Sequence, residues 1–184
     1  MFQLRPWLLF IGRMAIKTNL DPEKEAQDLL NATWAKGSLE TPLPVDPNLI
    51  ADRLGIKVFT AGLNEGVSGI LWKRAGRDPE IHLQMSDSSN RRRFTCAHEL
   101  GHYVAKAASD GGDNWEYVEH RALLASQGSD PDEIFANEFA ANLLMPRADV
   151  ERLRRRHQSP ATLAAIFGVS EDAMNFRLVN LQRK

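Results

Sequence analysis

At 184 residues, the chain is long enough for one sizeable hydrophobic core with a small appendage and too short for two full domains. Its 43% hydrophobic and 26% charged residues are those of an ordinary globular protein, and a formal charge of −1 offers no general attraction to nucleic acid or anionic lipid. A single cysteine, Cys96, excludes an internal disulfide framework and a cysteine-rich zinc site, in keeping with a reducing, cytoplasmic setting.

The opening run "WLLFIG" is shorter than a secretory apolar segment and far shorter than the roughly 20 residues of a membrane span. Residues 1–20 are therefore read as a tail with no export or membrane role. Asp21 and Pro22 then stand as cap and first residue of an amphipathic helix whose apolar positions are Ala26, Leu29, Leu30 and Trp34, with Gly37 as its stop. A second short helix follows, capped by Asp46, opened by Pro47 and closed by Gly55. The runs "IKVFTAG", "GVSGILWK" and "EIHLQ", separated by turn chemistry in "LNE" and "RAGRDP", predict three strands of a small sheet with a hairpin.

Hydroxyl and aspartate caps in "SDSSN" precede helical spacing at Phe94, Ala97, Leu100, Gly101 and Val104, which predicts a helix from about Ser89 to Ala107. The polar, glycine-bearing stretch after it reads as a loop or lid with a short element near Trp115 to His120. A strong helix runs from Glu133 to Leu144 and stops at Pro146. One more helix through "RADVERLRRRHQ" and two in "SPATLAAIFGVSEDAMNFRLVNLQRK", separated by Gly168 and Ser170, complete the chain. The expected division is a tail over 1–20, a core over 21–146 and a helical extension over 147–184.

Within the Ser89 helix lies "HELGH", residues 98–102. Residues four apart on a helix differ by about 40° in direction and about 6 Å in rise, so the imidazoles of His98 and His102 can converge on one cation. Neither position four residues from Glu99 carries a basic side chain, since 95 is threonine and 103 is tyrosine. A metal-activated water needs a base beside it that is not itself a ligand, and the residue directly after the first ligand histidine can supply one. The spacing is that of half a zinc peptidase site, with Glu99 as general acid/base.

Two histidines leave tetrahedral Zn2+ short of one protein ligand. A third histidine at the metzincin spacing is excluded, because position 108 is alanine. The candidate segment is "EIFANEFAANLLMP", in which Glu133 and Asn137 share a helical face, Glu133 as ligand and Asn137 as the group that orients a ligand histidine. Glu138 is the competing carboxylate. Tyr103, Tyr117 and His120 are candidate oxyanion donors without a spacing argument.

"RRRFTCAHELGHYV" together with "EIFANEFAANLLMP" resembles the ImmA/IrrE family of zinc metallopeptidases, more loosely over residues 42 to 182. The resemblance implies an α+β fold in which a zincin-like core packs a small, mostly antiparallel sheet on the HExxH helix. A helical extension follows that core. It also implies metal ligation by His98, His102 and Glu133, with Glu99 as the general base. Members of the family cleave or antagonise helix-turn-helix repressors, in settings that include toxin–antitoxin pairs, so the implied partner is a small helix-turn-helix repressor. Gln84 stands where the family often has asparagine, and Cys96 where an aliphatic residue is common.

"EIHLQ" is a candidate strand on which an extended substrate could add. Arg91 to Arg93 and Arg152 with Arg154 to Arg156 are basic clusters that solvated faces or carboxylate partners explain, with a repressor-docking patch as the alternative. The tail has a helix–turn–helix rhythm, yet Asp172, Met174, Asn175 and Phe176 are poor groove-reading residues, so direct nucleic-acid binding is not expected. The competing function is a regulator of the same fold that holds its partner, or DNA, without turnover.

Overall fold

The computed structural model describes residues 20–35, 40–74, 76–110, 117–118 and 130–183. Helix α1 (Pro22–Leu29) starts where the Asp21 carboxylate accepts from the Glu23 backbone N–H at 2.9 Å and Pro22 occupies a position that needs no hydrogen bond. It runs on as a π-helical turn, Leu30–Ala35, in which the Thr33 hydroxyl donates back to the Leu29 carbonyl at 2.6 Å. Helix α2 (Pro47–Leu54) repeats the same start at Asp46, and it ends at Gly55 in the left-handed conformation, φ 75°.

Strands β1 (Lys57–Ala61), β2 (Gly69–Lys73), β3 (Glu80–Gln84) and the two-residue β4 (Tyr117–Val118) form one sheet in the order β1-β3-β2-β4. β2 is antiparallel to β3 and to β4, while β1 runs parallel to β3. The sheet is thus mostly antiparallel, as expected, with one parallel pairing that alternation alone does not announce. It also corrects the reading of "EIHLQ" as a docking strand: β3 is central, with Ile81 beside Val58 on one side and Leu71 on the other, so its backbone has no open edge for an added strand.

Alternation along the strands sorts the two faces. Leu71, Ile81 and Leu83 are buried inward. Outward, Phe59 stacks on His82 with ring centroids 5.2 Å apart, and Arg74 lies 4.1 Å from the Trp72 ring centre. The inner face packs on helix α3 (Ser89–Asp110), which begins where the Ser88 hydroxyl accepts from the Arg91 N–H. Helix α4 (Pro131–Leu144) makes the largest interface of α3, and α1 covers α4 from beyond.

The close approach of α3 and α4 requires Gly101. A Cβ there would lie 3.0 Å from the Ala136 Cα and 3.1 Å from the Phe139 ring, tighter than packed carbon atoms tolerate. Gly101→Ala is expected to cost about 1–3 kcal/mol of stability through this overpacking, seen as a lower denaturant midpoint at unchanged slope.

Helices α5 (Arg147–Arg154), α6 (Pro160–Phe167) and α7 (Glu171–Arg183) close the fold, and Val150, Leu163, Phe167 and Met174 belong to the same buried cluster as Leu71, Leu100 and Phe139. Two arginines tie this end of the chain to the central helices. Arg93 of α3 donates to the carbonyls of Gly168, at 3.0 Å, and Val45, at 2.6 Å. Buried Arg177 of α7 donates to Met145 O at 3.1 Å and Asn142 Oδ1 at 2.6 Å, at the end of α4. Helix C-termini leave carbonyls without partners, and these guanidinium groups satisfy those of the C-caps Gly168 and Met145. Burial pushes both arginines below their ordinary pKa. Among the other basic residues, Arg91 reaches Ser68 and Asp87, Arg92 reaches Met85 O, and Arg152 reaches Asp149. Internal partners thus hold the first cluster and Arg152, while Arg154, Arg155 and Arg156 are exposed.

Candidate metal centre

The helical spacing of His98 and His102 brings their Nε2 atoms to 3.0 Å, with the rings at 74° to one another. Helix α4 crosses α3 at Gly101 and delivers Glu133 to the pair. Its Oε1 lies 2.9 Å from His102 Nε2 and its Oε2 lies 3.5 Å from His98 Nε2. Glu133 stands in the first turn of α4, after Pro131 and Asp132, where the helix dipole favours a negative side chain. All three residues are buried, with His102 and Glu133 each 2% exposed.

Asn137 lies one turn after Glu133, and its Oδ1 is 3.0 Å from His98 Nδ1. A carboxamide oxygen only accepts, so His98 Nδ1 is the donor and the neutral ring leaves its Nε2 lone pair facing His102 and Glu133. The contact with Asn137 favours the tautomer that a metal ligand needs.

The donor set fits a divalent cation. One ligand atom from each of His98, His102 and Glu133 lies within 4.8 Å of the others, so this group could hold a metal ion. The edges of a tetrahedron with zinc–ligand arms of 2.0–2.1 Å are about 3.3 Å. The nitrogen–nitrogen and nitrogen–oxygen separations here are 3.0, 2.9 and 3.5 Å. Two imidazoles and one carboxylate are also the donor types of an open, three-ligand zinc site.

Glu99 follows His98 directly on α3 and is 2% exposed. Glu138, the competing carboxylate, is exposed and lies outside the three-residue group. The oxyanion candidates divide differently. Tyr103 is 3% exposed and belongs to the hydrophobic core, about 100° round the helix from His102. The side chain of Tyr117 and all of His120 lie outside the described residues. His82 faces the other side of the sheet, with its Nε2 3.0 Å from the Glu80 carboxylate.

Cys96 points away from the site into the core and is fully buried. Burial first, then the nearby Glu99 carboxylate, raise its thiol well above the ordinary range. The folded protein is expected to resist alkylation at Cys96 and to react fully once denatured, a result that thiol titration with and without denaturant checks. Rapid reaction in the native state would show a thiolate that the core packing does not permit.

A small mixed sheet laid on a long His-Glu-x-x-His helix, with a second helix bringing a glutamate to the two histidines, defines the class: an α+β protein with a metallopeptidase-type centre. Residues 51–179 match the family model Peptidase_M78, the IrrE N-terminal-like domain, and the chain belongs to that family. The match spans both helices of the site and reaches α7. No individual curated protein matches the chain. Among the described residues, no helix is long and apolar enough to cross a membrane.

Proposed function

We propose that the protein is a zinc-dependent endopeptidase that acts in the cytoplasm on a helix-turn-helix transcriptional repressor. The observation that carries the catalytic part is the buried His98, His102 and Glu133 group, together with the buried Glu99 that directly follows His98 in the chain. The likeness to ImmA/IrrE proteins supports the repressor as substrate.

His98, His102 and Glu133 would hold the ion. When bound, zinc supplies Lewis acidity toward a peptide carbonyl and makes water acidic enough to ionise near neutral pH. Glu99 accepts a proton from the attacking water as its oxygen bonds to the scissile carbonyl carbon. The same carboxyl then gives the proton to the departing nitrogen as the C–N bond breaks, so the base is restored and one water is consumed. Asn137 holds His98 in its ligating tautomer throughout. With β3 enclosed, the sheet edges open to an extended substrate among the described residues are the outer side of β1 and the part of β2 that β4, paired at Trp72 and Lys73, does not cover.

The test is the purified, zinc-loaded chain incubated with a helix-turn-helix repressor, the first choice being one that a neighbouring gene encodes. Cleavage is expected, is abolished by a chelator, and returns when zinc is restored. A repressor that binds stoichiometrically to the loaded protein and stays intact would instead favour the non-catalytic regulator.

A further inference from the structure

Gly69 opens strand β2, is buried, and does not have a positive φ, so its backbone conformation does not call for glycine. Glycine inside a strand weakens it by roughly 0.5–1 kcal/mol relative to alanine. The reason for it lies across the interface with α3. A Cβ at 69 would overlap the Thr95 methyl group and lie 3.0 Å from Glu99 Oε1 and 3.5 Å from Glu99 Cγ. Thr95 and Glu99 are four residues apart, one turn of the same helical face. At Gly69, β2 therefore passes so close to Thr95 and Glu99 that a side chain would meet both.

We propose that Gly69 is a positioning residue for Glu99: the side-chain-free backbone of β2 forms the wall that sets the carboxylate. This rests on the peptidase reading above. A glutamate has several rotatable bonds, and a base that must meet both the water and the leaving nitrogen works only when held in register. Thr95 beneath and β2 alongside contribute to that restraint. A side chain at 69 is expected to displace the carboxylate by a few tenths of an ångström, and the three atoms it would meet first belong to Thr95 and Glu99, not to the histidines or Glu133. The effect therefore falls on turnover and not on metal binding.

The experiment compares Gly69→Ala, Thr95→Ala and the double variant for melting temperature, bound zinc, kcat and KM on the cleaved repressor, and the 13C signal of the Glu99 carboxyl, identified by its loss in Glu99→Gln. Gly69→Ala alone is expected to melt lower, because its methyl meets the Thr95 methyl. The double variant removes that clash and regains most of the lost melting temperature. Its kcat stays about tenfold below that of Thr95→Ala, since sub-ångström misplacement of a catalytic group carries costs of that order. KM and bound zinc are unchanged, and the Glu99 carbon signal is displaced. A double variant with the kcat of Thr95→Ala and an undisplaced Glu99 signal would overturn the proposal, leaving Gly69 as room for a methyl group. A rise in KM at constant kcat would overturn it too, assigning Gly69 to the substrate's backbone instead. Should the wild-type chain cleave no repressor, the peptidase reading fails on its own, and the Glu99 signal still decides the packing claim.

Discussion

Glu99→Gln is expected to abolish measurable proteolysis while the protein keeps its full complement of zinc. Glutamine matches glutamate in shape, so the contact with Gly69 and the 2% exposure of position 99 survive the change. What disappears is the ability to take a proton and return it. General acid/base groups contribute about 10²–10⁴ in rate, or about 3–5 kcal/mol of barrier. The atoms that hold the ion belong to His98, His102 and Glu133, none of which changes. Metal analysis after dialysis, paired with single-turnover cleavage, separates these two properties. Wild-type turnover in Glu99→Gln would remove this residue from the reaction.

The second large effect is the converse. Glu133→Ala is expected to lose both zinc and activity, because the ion would be left with two imidazoles and no anionic ligand. Removing an outer partner such as Asn137 typically weakens metal affinity 10–100-fold, and loss of a direct ligand exceeds that. Zinc binding to the folded state stabilises it by about 2.7 kcal/mol when the ion is at a hundred times its dissociation constant. The wild-type melting temperature therefore rises on adding zinc, and that of Glu133→Ala does not. Glu138→Ala is the control, since Glu138 is exposed and away from the histidines, and it should bind zinc as the wild type does. A metal-free Glu138→Ala beside a loaded Glu133→Ala would reverse the assignment.

The local parts of this molecule were readable from the chain because local chemistry determines them. Asp21 and Asp46 before prolines, Gly55 and Gly168 after helices, and the four-residue interval in "HELGH" each depend on neighbours within one or two turns. Long-range partners were harder. The alternation in "EIHLQ" correctly reports two faces, with Ile81 and Leu83 buried and Glu80, His82 and Gln84 half-buried. Yet period-two alternation says nothing about which edges are occupied, so a central strand open on one face looks the same as an edge strand. Pattern and family resemblance favour Glu133 over Glu138, but its meeting with the histidines depends on the crossing of α4 over α3 near Gly101 and Ala136, which no single segment contains. Gly69 carried a signal, a glycine inside a strand run, but its meaning depended on which side chain of another element faced it.

Arg93 and Arg177 grip opposite ends of the two helices that bear the metal-holding residues, and each does so through carbonyl oxygens joined across long stretches of chain. Loosening α6 or α7 breaks these bonds, and a hydrogen bond to a charged group contributes about 1.5–3 kcal/mol. The terminal helices and the centre are therefore expected to melt as a single cooperative unit, so that thermal damage at the far end of the polypeptide reaches the histidines without touching them.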